Sequence, residues 1–138
     1  MKLVGYLIDP KTGYSGKKVI DNNYQSLKAL VGCDGIEGYT VSVGNNKTVF
    51  DITCGATARL QKDPKVTGML DPNSEKLFVG PLFFTKFEDP MSLLDEDEER
   101  EEVAESLDDE EIEYLDNHIG AFCDGKMTWP CMMKVRIV

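Results

Sequence analysis

The amino-acid sequence predicts an α+β fold: a mostly antiparallel sheet with one short helix, and an acidic helical segment before a C-terminal strand. Three observations carry this. Several short runs alternate apolar and polar residues between turn signals, which is the period of a half-buried strand. One run, residues 24–31, has helical spacing. One block, residues 88–116, is acidic almost throughout and carries two helix-capping patterns. At 138 residues the chain is read as one domain, residues 1–138. Residues 88–119 are an acidic helical insertion within it.

The elements follow in order. Residues 2–8 (KLVGYLI) have strand composition and end at Asp9-Pro10-Lys11-Thr12-Gly13, a turn. Residues 17–20 (KKVI) pair back as a second strand. Asn22 or Asn23 caps a helix whose face is Tyr24, Leu27, Leu30 and Val31, and Gly32 stops it. Residues 36–43 (IEGYTVSV) and 47–53 (KTVFDIT) form a hairpin around Gly44-Asn45-Asn46. Residues 55–63 carry no clear pattern. After a turn at Asp71-Pro72-Asn73-Ser74 comes the most apolar run, residues 76–85 (KLFVGPLFFT). Pro81 inside it marks a bulge or a sheet edge, because proline cannot donate to a ladder.

In the acidic block, Ser92 with Asp95 and Ser106 with Asp109 fit the N-cap pattern. They predict one helix from residue 92 to about 104 and another from 106 to 119, the second with Ile112, Leu115 and Ile119 as its apolar stripe. Acids in the first turn of each complement the helix dipole. Residues 126–138 read as a final strand that begins at Pro130, with Met133, Val135 and Ile137 alternating with Lys134 and Arg136.

Charge is distributed unevenly. The chain holds 25 acids and 15 bases. Sixteen of the acids and one base, Arg100, lie in residues 88–116, which leaves nine acids and fourteen bases for the rest. A mildly basic body thus carries one strongly acidic segment. The overall charge of −10 disfavours binding to nucleic acid or to an anionic membrane. Carboxylates three and four residues apart on a helix lie about 5–6 Å apart on one face. Such a row can imitate the charge density of nucleic acid. The alternatives are a solvated helix face, a disordered acidic loop or a divalent-cation site. No D-x-D-x-D-G loop supports the last of these.

Catalytic and metal motifs are sparse. His118 is the single histidine, which excludes a zinc protease built on a histidine pair. Its position suits a helix C-terminus, where an imidazolium is favoured. Cys33, Cys54, Cys123 and Cys131 show no C-x-x-C. Three-ligand zinc binding by His118, Cys123 and Cys131, with Cys33 or Cys54 as fourth ligand, would need tetrahedral convergence from irregular spacings. Asp9-Pro10-Lys11-Thr12-Gly13 differs from an aspartyl-phosphate motif by the inserted Pro10, and no phosphate-binding glycine loop is present. No metal and no cofactor are therefore expected. The opening residues MKLVGYLIDP read as a strand and not as a signal peptide. The reducing cytoplasm of a host cell is the expected compartment, with free thiols and Asn46-Lys47-Thr48 as a plain turn. Tyr39, Phe50, Phe83, Phe84, Phe87 and Trp129 fill a core or line a pocket.

The order of segments resembles a family of small uncharacterised phage and mobile-element proteins, a domain of unknown function. The residues that carry the resemblance are Ile8-Asp9-Pro10, Tyr24-Gln25-Ser26-Leu27, Val31-Gly32-Cys33-Asp34 and Leu77-Phe78-Val79-Gly80. Residues 106–115 (SLDDEEIEYL), which look like that family's C-terminal helix, complete them. The acidic insertion at residues 94–105 and the last strand depart from the family pattern. The resemblance implies a viral or mobile-element origin and no activity. The expected function is non-enzymatic: binding and inhibition of a host protein that has a basic surface, neither nucleic acid nor membrane being the target. The expected contact residues are Glu98, Glu99, Glu101, Glu102, Glu105, Asp108 and Asp109. A second expectation is a small-ligand binder that sequesters a nucleotide signal through Lys17, Lys18, Arg59 or Lys62. A third is a small hydrolase using Cys123 and His118.

Overall fold

The structure is a computed structural model that describes residues 1–9, 12, 14–32, 35–43, 48–55, 66–71, 76–88, 104–120 and 133–137. Strand β1 (Lys2–Asp9) is its organising element. Leu3 and Leu7 enter one apolar cluster, while Tyr6 and Ile8 enter a second. This is the period-2 alternation of a strand covered on both faces. β2 (Tyr14–Asp21) pairs antiparallel with β1 along its whole length, from Asp9↔Tyr14 to Lys2↔Asp21. It is longer than the four residues the pattern marks, because Tyr14, Ser15 and Gly16 pair with Asp9, Ile8 and Leu7 without an apolar pattern of their own.

Helix α1 (Tyr24–Val31) has the expected bounds. The Asn23 side chain accepts from the Ser26 N–H, and Gly32 closes the helix at φ 71°. A cap of this kind is worth about 1 kcal/mol. Leu27 and Val31 are buried, with Leu30 packed beside them. Tyr24 is 60% exposed and does not belong to the buried stripe. It stands in the first turn of the helix.

The predicted hairpin is β3 (Ile36–Val43) with β4 (Val49–Gly55), in register from Ile36↔Gly55 to Ser42↔Val49. Its turn lies outside the described residues. β5 (Val66–Asp71) and β6 (Lys76–Val79) form a second antiparallel hairpin. The apolar run 76–85 is not one strand. Gly80 at φ 82°, a conformation that glycine tolerates best, precedes Pro81 and ends β6. β7 (Leu82–Lys86) then runs in the centre of the sheet, between β1 and β4. Pro81 thus separates an edge strand from a central one.

The sheet order is β2-β1-β7-β4-β3-β8-β5-β6. The first five strands are all antiparallel neighbours. β8 (Met133–Ile137) pairs antiparallel with β3 and parallel with β5. The α+β class with a mostly antiparallel sheet and a paired terminal strand is therefore what the chain adopts. The C-terminal strand clamps the acidic insertion between two elements of the sheet.

Helices cover the two faces. Leu3, Leu7 and Phe83 pack with Leu27 of α1. Tyr6, Ile8, Phe50, Ile52, Leu82 and Phe84 pack with Leu107 and with Leu115 of helix α2 (Asp109–Leu115). Phe84 meets Tyr6 and Phe50 edge-on at centroid distances of 6.3 and 6.5 Å. Phe50, Phe83 and Phe84 therefore belong to the core. Trp129 lies outside the described residues. Among the described residues no helix is long and apolar enough to cross a membrane.

Candidate functional site: the acidic helix and its anchorage

Both flanks of residues 89–103 are tied to the body. On the entry side, the Glu88 N–H donates to Asp51 Oδ2 at 3.2 Å. On the exit side, the Asn22 side chain bonds the Ala104 backbone twice: its Nδ2 donates to the Ala104 carbonyl at 2.8 Å, and its Oδ1 accepts from the Ala104 N–H at 3.2 Å. The chain then enters the gap between β1 and β7. The Lys86 N–H donates to the Glu105 carbonyl at 3.1 Å, and the Leu107 N–H to the Val4 carbonyl at 2.9 Å. The Val4 N–H donates to Ser106 Oγ at 2.9 Å. Residues 104–107 thus supply partners to the Lys86 N–H and to the N–H and carbonyl of Val4, all at partly buried positions.

This placement shifts the helix start. Ser106 is engaged with β1, and the N-cap is Asp108. Asp108 Oδ1 accepts from the Glu111 N–H at 2.8 Å, and Glu111 Oε1 accepts from the Asp108 N–H at 3.0 Å, a full capping box. α2 ends at Leu115, and a π-helical turn over Asp116–Gly120 follows. The predicted helix over residues 106–119 is accordingly a shorter α-helix with a wider last turn. The first predicted helix, over residues 92–104, lies outside the described residues apart from Ala104.

α2 is docked on its inner side. Leu115 and Leu107 are buried, with Ile112 and Tyr114 packed against the same cluster. Tyr114 stacks on Phe50 at 6.1 Å and donates its hydroxyl proton to the Val43 carbonyl. Lys86 Nζ lies 3.5 Å from Glu111 Oε1. The Tyr6 hydroxyl donates to Asp116 Oδ1 at 3.0 Å and also meets Ser15 Oγ at 2.8 Å. The outer side carries exposed carboxylates: Asp109, Glu110 and Glu113, with Asp108 and Glu105 leading into them. Asp109 and Glu113 are four residues apart, and Glu110 and Glu113 three, so each of these pairs lies about 5–6 Å apart. Three acids in the first turn sit favourably at the positive end of the helix dipole.

Of the expected contact residues, Glu98, Glu99, Glu101 and Glu102 lie outside the described residues. Glu105 and Asp109 are exposed. Asp108 is exposed too, but one of its oxygens serves the cap. Glu110 and Glu113 extend the exposed face, and the signal that points to Glu113 is its helical spacing from Asp109 and Glu110. His118 sits in the π-helical turn, stacked on Tyr114 at 4.0 Å, with Nδ1 2.8 Å from the Tyr114 carbonyl. That matches a helix-terminal role. Cys33, Cys123 and Cys131 lie outside the described residues, and Cys54 is a free thiol buried in the core.

Lys17 and Lys18 are successive residues of β2 and project to opposite faces, so they do not converge on one ligand. Arg59 and Lys62 lie outside the described residues. Thr12 donates to Asp9 Oδ2 at 3.0 Å, as a tight turn does. Asp51 is a half-buried acid of β4. It accepts from Thr40 Oγ1 at 3.0 Å as well as from Glu88. Burial raises its pKa above the ordinary aspartate value, against the lowering effect of those two bonds. No family model, no curated protein and no solved structure matches this chain.

Proposed function

We propose that this is a non-enzymatic protein of viral or mobile-element origin that binds a host protein with a basic surface and blocks it through the acidic face. A host factor that handles nucleic acid, in defence or elsewhere, is the partner such a face suits. The observation that carries this reading is the way α2 is built. Leu115 and the Tyr114 hydroxyl hold the helix to the sheet and a capping box fixes its start, while Asp109, Glu110 and Glu113 face outward. A docked helix holds its carboxylates at set spacings, and a basic groove evolved for phosphates reads spaced negative charge. A merely solvated acidic run needs no such anchorage.

The test is capture from host extract on the parent chain and on a variant neutralised by Asp109→Asn, Glu110→Gln and Glu113→Gln. The parent should retain a basic protein that added duplex DNA displaces. The variant should bind it at least about tenfold more weakly, and rising salt should close the difference. Capture that ignores salt, DNA and neutralisation would contradict the proposal.

A further inference from the structure

Among the described residues, β2 is the terminal strand of the sheet and pairs only with β1, so no described strand lies along its outer edge. The Asn22 N–H bonds the Met1 carbonyl at 3.0 Å, which fixes the alternation: even-numbered residues of β2 bond β1, and Ser15, Lys17, Val19 and Asp21 direct their backbone groups outward. The Tyr14 hydroxyl donates to the Lys17 carbonyl, as an outward carbonyl permits. Exposed apolar surface gathers at the same edge. The large exposed hydrophobic residues among those described are Met1, Tyr14, Val19, Tyr24 and Phe87. Tyr14 and Val19 belong to β2, Tyr24 follows its end, and Met1 lies beside Asn22.

We propose that this edge pairs with the same edge of a second copy, antiparallel, about a two-fold axis at Val19. The charges choose the register. An axis at Lys17 sets Lys17 against Lys17, and an axis at Lys18 sets Lys18 against Lys18; like charges directly opposite are destabilising. An axis at Val19 sets Val19 against Val19 and each Lys17 against the other copy's Asp21. All three are outward positions, so each such pair exchanges both backbone hydrogen bonds. The carbonyls of Lys17 and Asp21 already accept from Tyr14 and Asn23, and each keeps a second lone pair. Lys17, Val19 and Asp21 also share one face, so on each side of a valine contact the Lys17 of one copy joins the exposed Lys2–Asp21 ion pair of the other. Ser15, bonded to Tyr6, stays outside the pairing. The same register carries Tyr14 of each copy past Asn22 toward Tyr24 of the other. Lysines on an edge strand ordinarily prevent pairing; here they exclude the registers centred on them and favour one.

Sedimentation equilibrium of the full chain over a concentration series tests this. The weight-average mass of the parent should climb from 15.4 kDa toward twice that value. Lys17→Asp and Asp21→Lys, each alone, should weaken association at least about tenfold, since each places like charges opposite. The double exchange should restore it. Val19→Pro removes an outward N–H without touching a bond to β1, and should abolish association while circular dichroism stays that of the parent. A parent that is monomeric throughout overturns the proposal. Single exchanges that associate as tightly as the parent overturn the register.

Discussion

Leu115→Ala probes the docking of the acidic helix most sharply. Leu115 is fully buried between α2 and the sheet. The substitution removes three carbons, worth about 2.4 kcal/mol at about 0.8 kcal/mol per buried methylene. The cavity term brings the expected loss to about 3–4 kcal/mol, within the usual range for leucine truncations. α2 has seven residues, well short of the roughly 12–15 at which an isolated helix becomes even marginal. It has no stability of its own to fall back on, so the loss falls on α2 before it falls on β1. Urea denaturation measures the total, and hydrogen exchange of the amides in residues 109–115 locates it. The expected result is a lowered midpoint with early loss of α2 protection, while the β1 amides exchange only with global unfolding. Glu113→Gln, on the outer face, should change stability by no more than about 0.5 kcal/mol. A Leu115→Ala loss under about 1 kcal/mol, with α2 protection unchanged, would refute the docking argument.

Three further outcomes are expected. Gly5→Ala should cost about 1–3 kcal/mol in denaturant, because a Cβ at Gly5 would stand 2.5 Å from the Phe84 carbonyl oxygen and collide with the Phe83 ring; a neutral effect would show that the two strands can part there. Asp108→Ala should cost about 1 kcal/mol and raise exchange at the Glu111 amide, which loses its acceptor. Asp51→Asn should stabilise the protein at neutral pH. The folded pKa of Asp51 is raised above the unfolded value of 3.8, so its protonated form favours the folded state; that contribution is complete below pH 3.8 and is lost as pH rises through the folded value. The advantage of the variant should therefore shrink as pH falls toward that lower limit. A gap between variant and parent that does not change with pH would contradict the assignment.

Local signals made much of the fold legible. The asparagine cap and the glycine stop bracket α1 without help from tertiary structure, and alternation around a turn marks the β3–β4 hairpin. Where two local readings tie, tertiary contacts decide. Ser106 with Asp109 and Asp108 with Glu111 are overlapping capping patterns. The Val4 N–H takes the Ser106 hydroxyl, and that leaves the cap to Asp108. Residues 76–85 are apolar throughout, so composition could not reveal that β6 and β7 face different neighbours; only Gly80-Pro81 hints at the break. The helical period includes Tyr24, yet Tyr24 is exposed, because period alone does not tell which members of a stripe meet the body. The acidic face was legible as charge. Which carboxylates stand free was not, because the cap occupies Asp108, and Lys86 and the Asp108 N–H engage Glu111. The side-chain clamp of Asn22 on Ala104 left no trace in the sequence: it joins residues 82 positions apart.

The central claim is that the outer carboxylates of α2 form a binding face for a basic partner. Its most direct measurement is the affinity of the captured partner for the parent and for the Asp109→Asn, Glu110→Gln, Glu113→Gln variant, titrated across a salt series. The affinity of the parent should fall steeply with salt, and the variant should bind at least about tenfold more weakly with a shallower salt dependence. Equal affinities with equal salt dependence would contradict it.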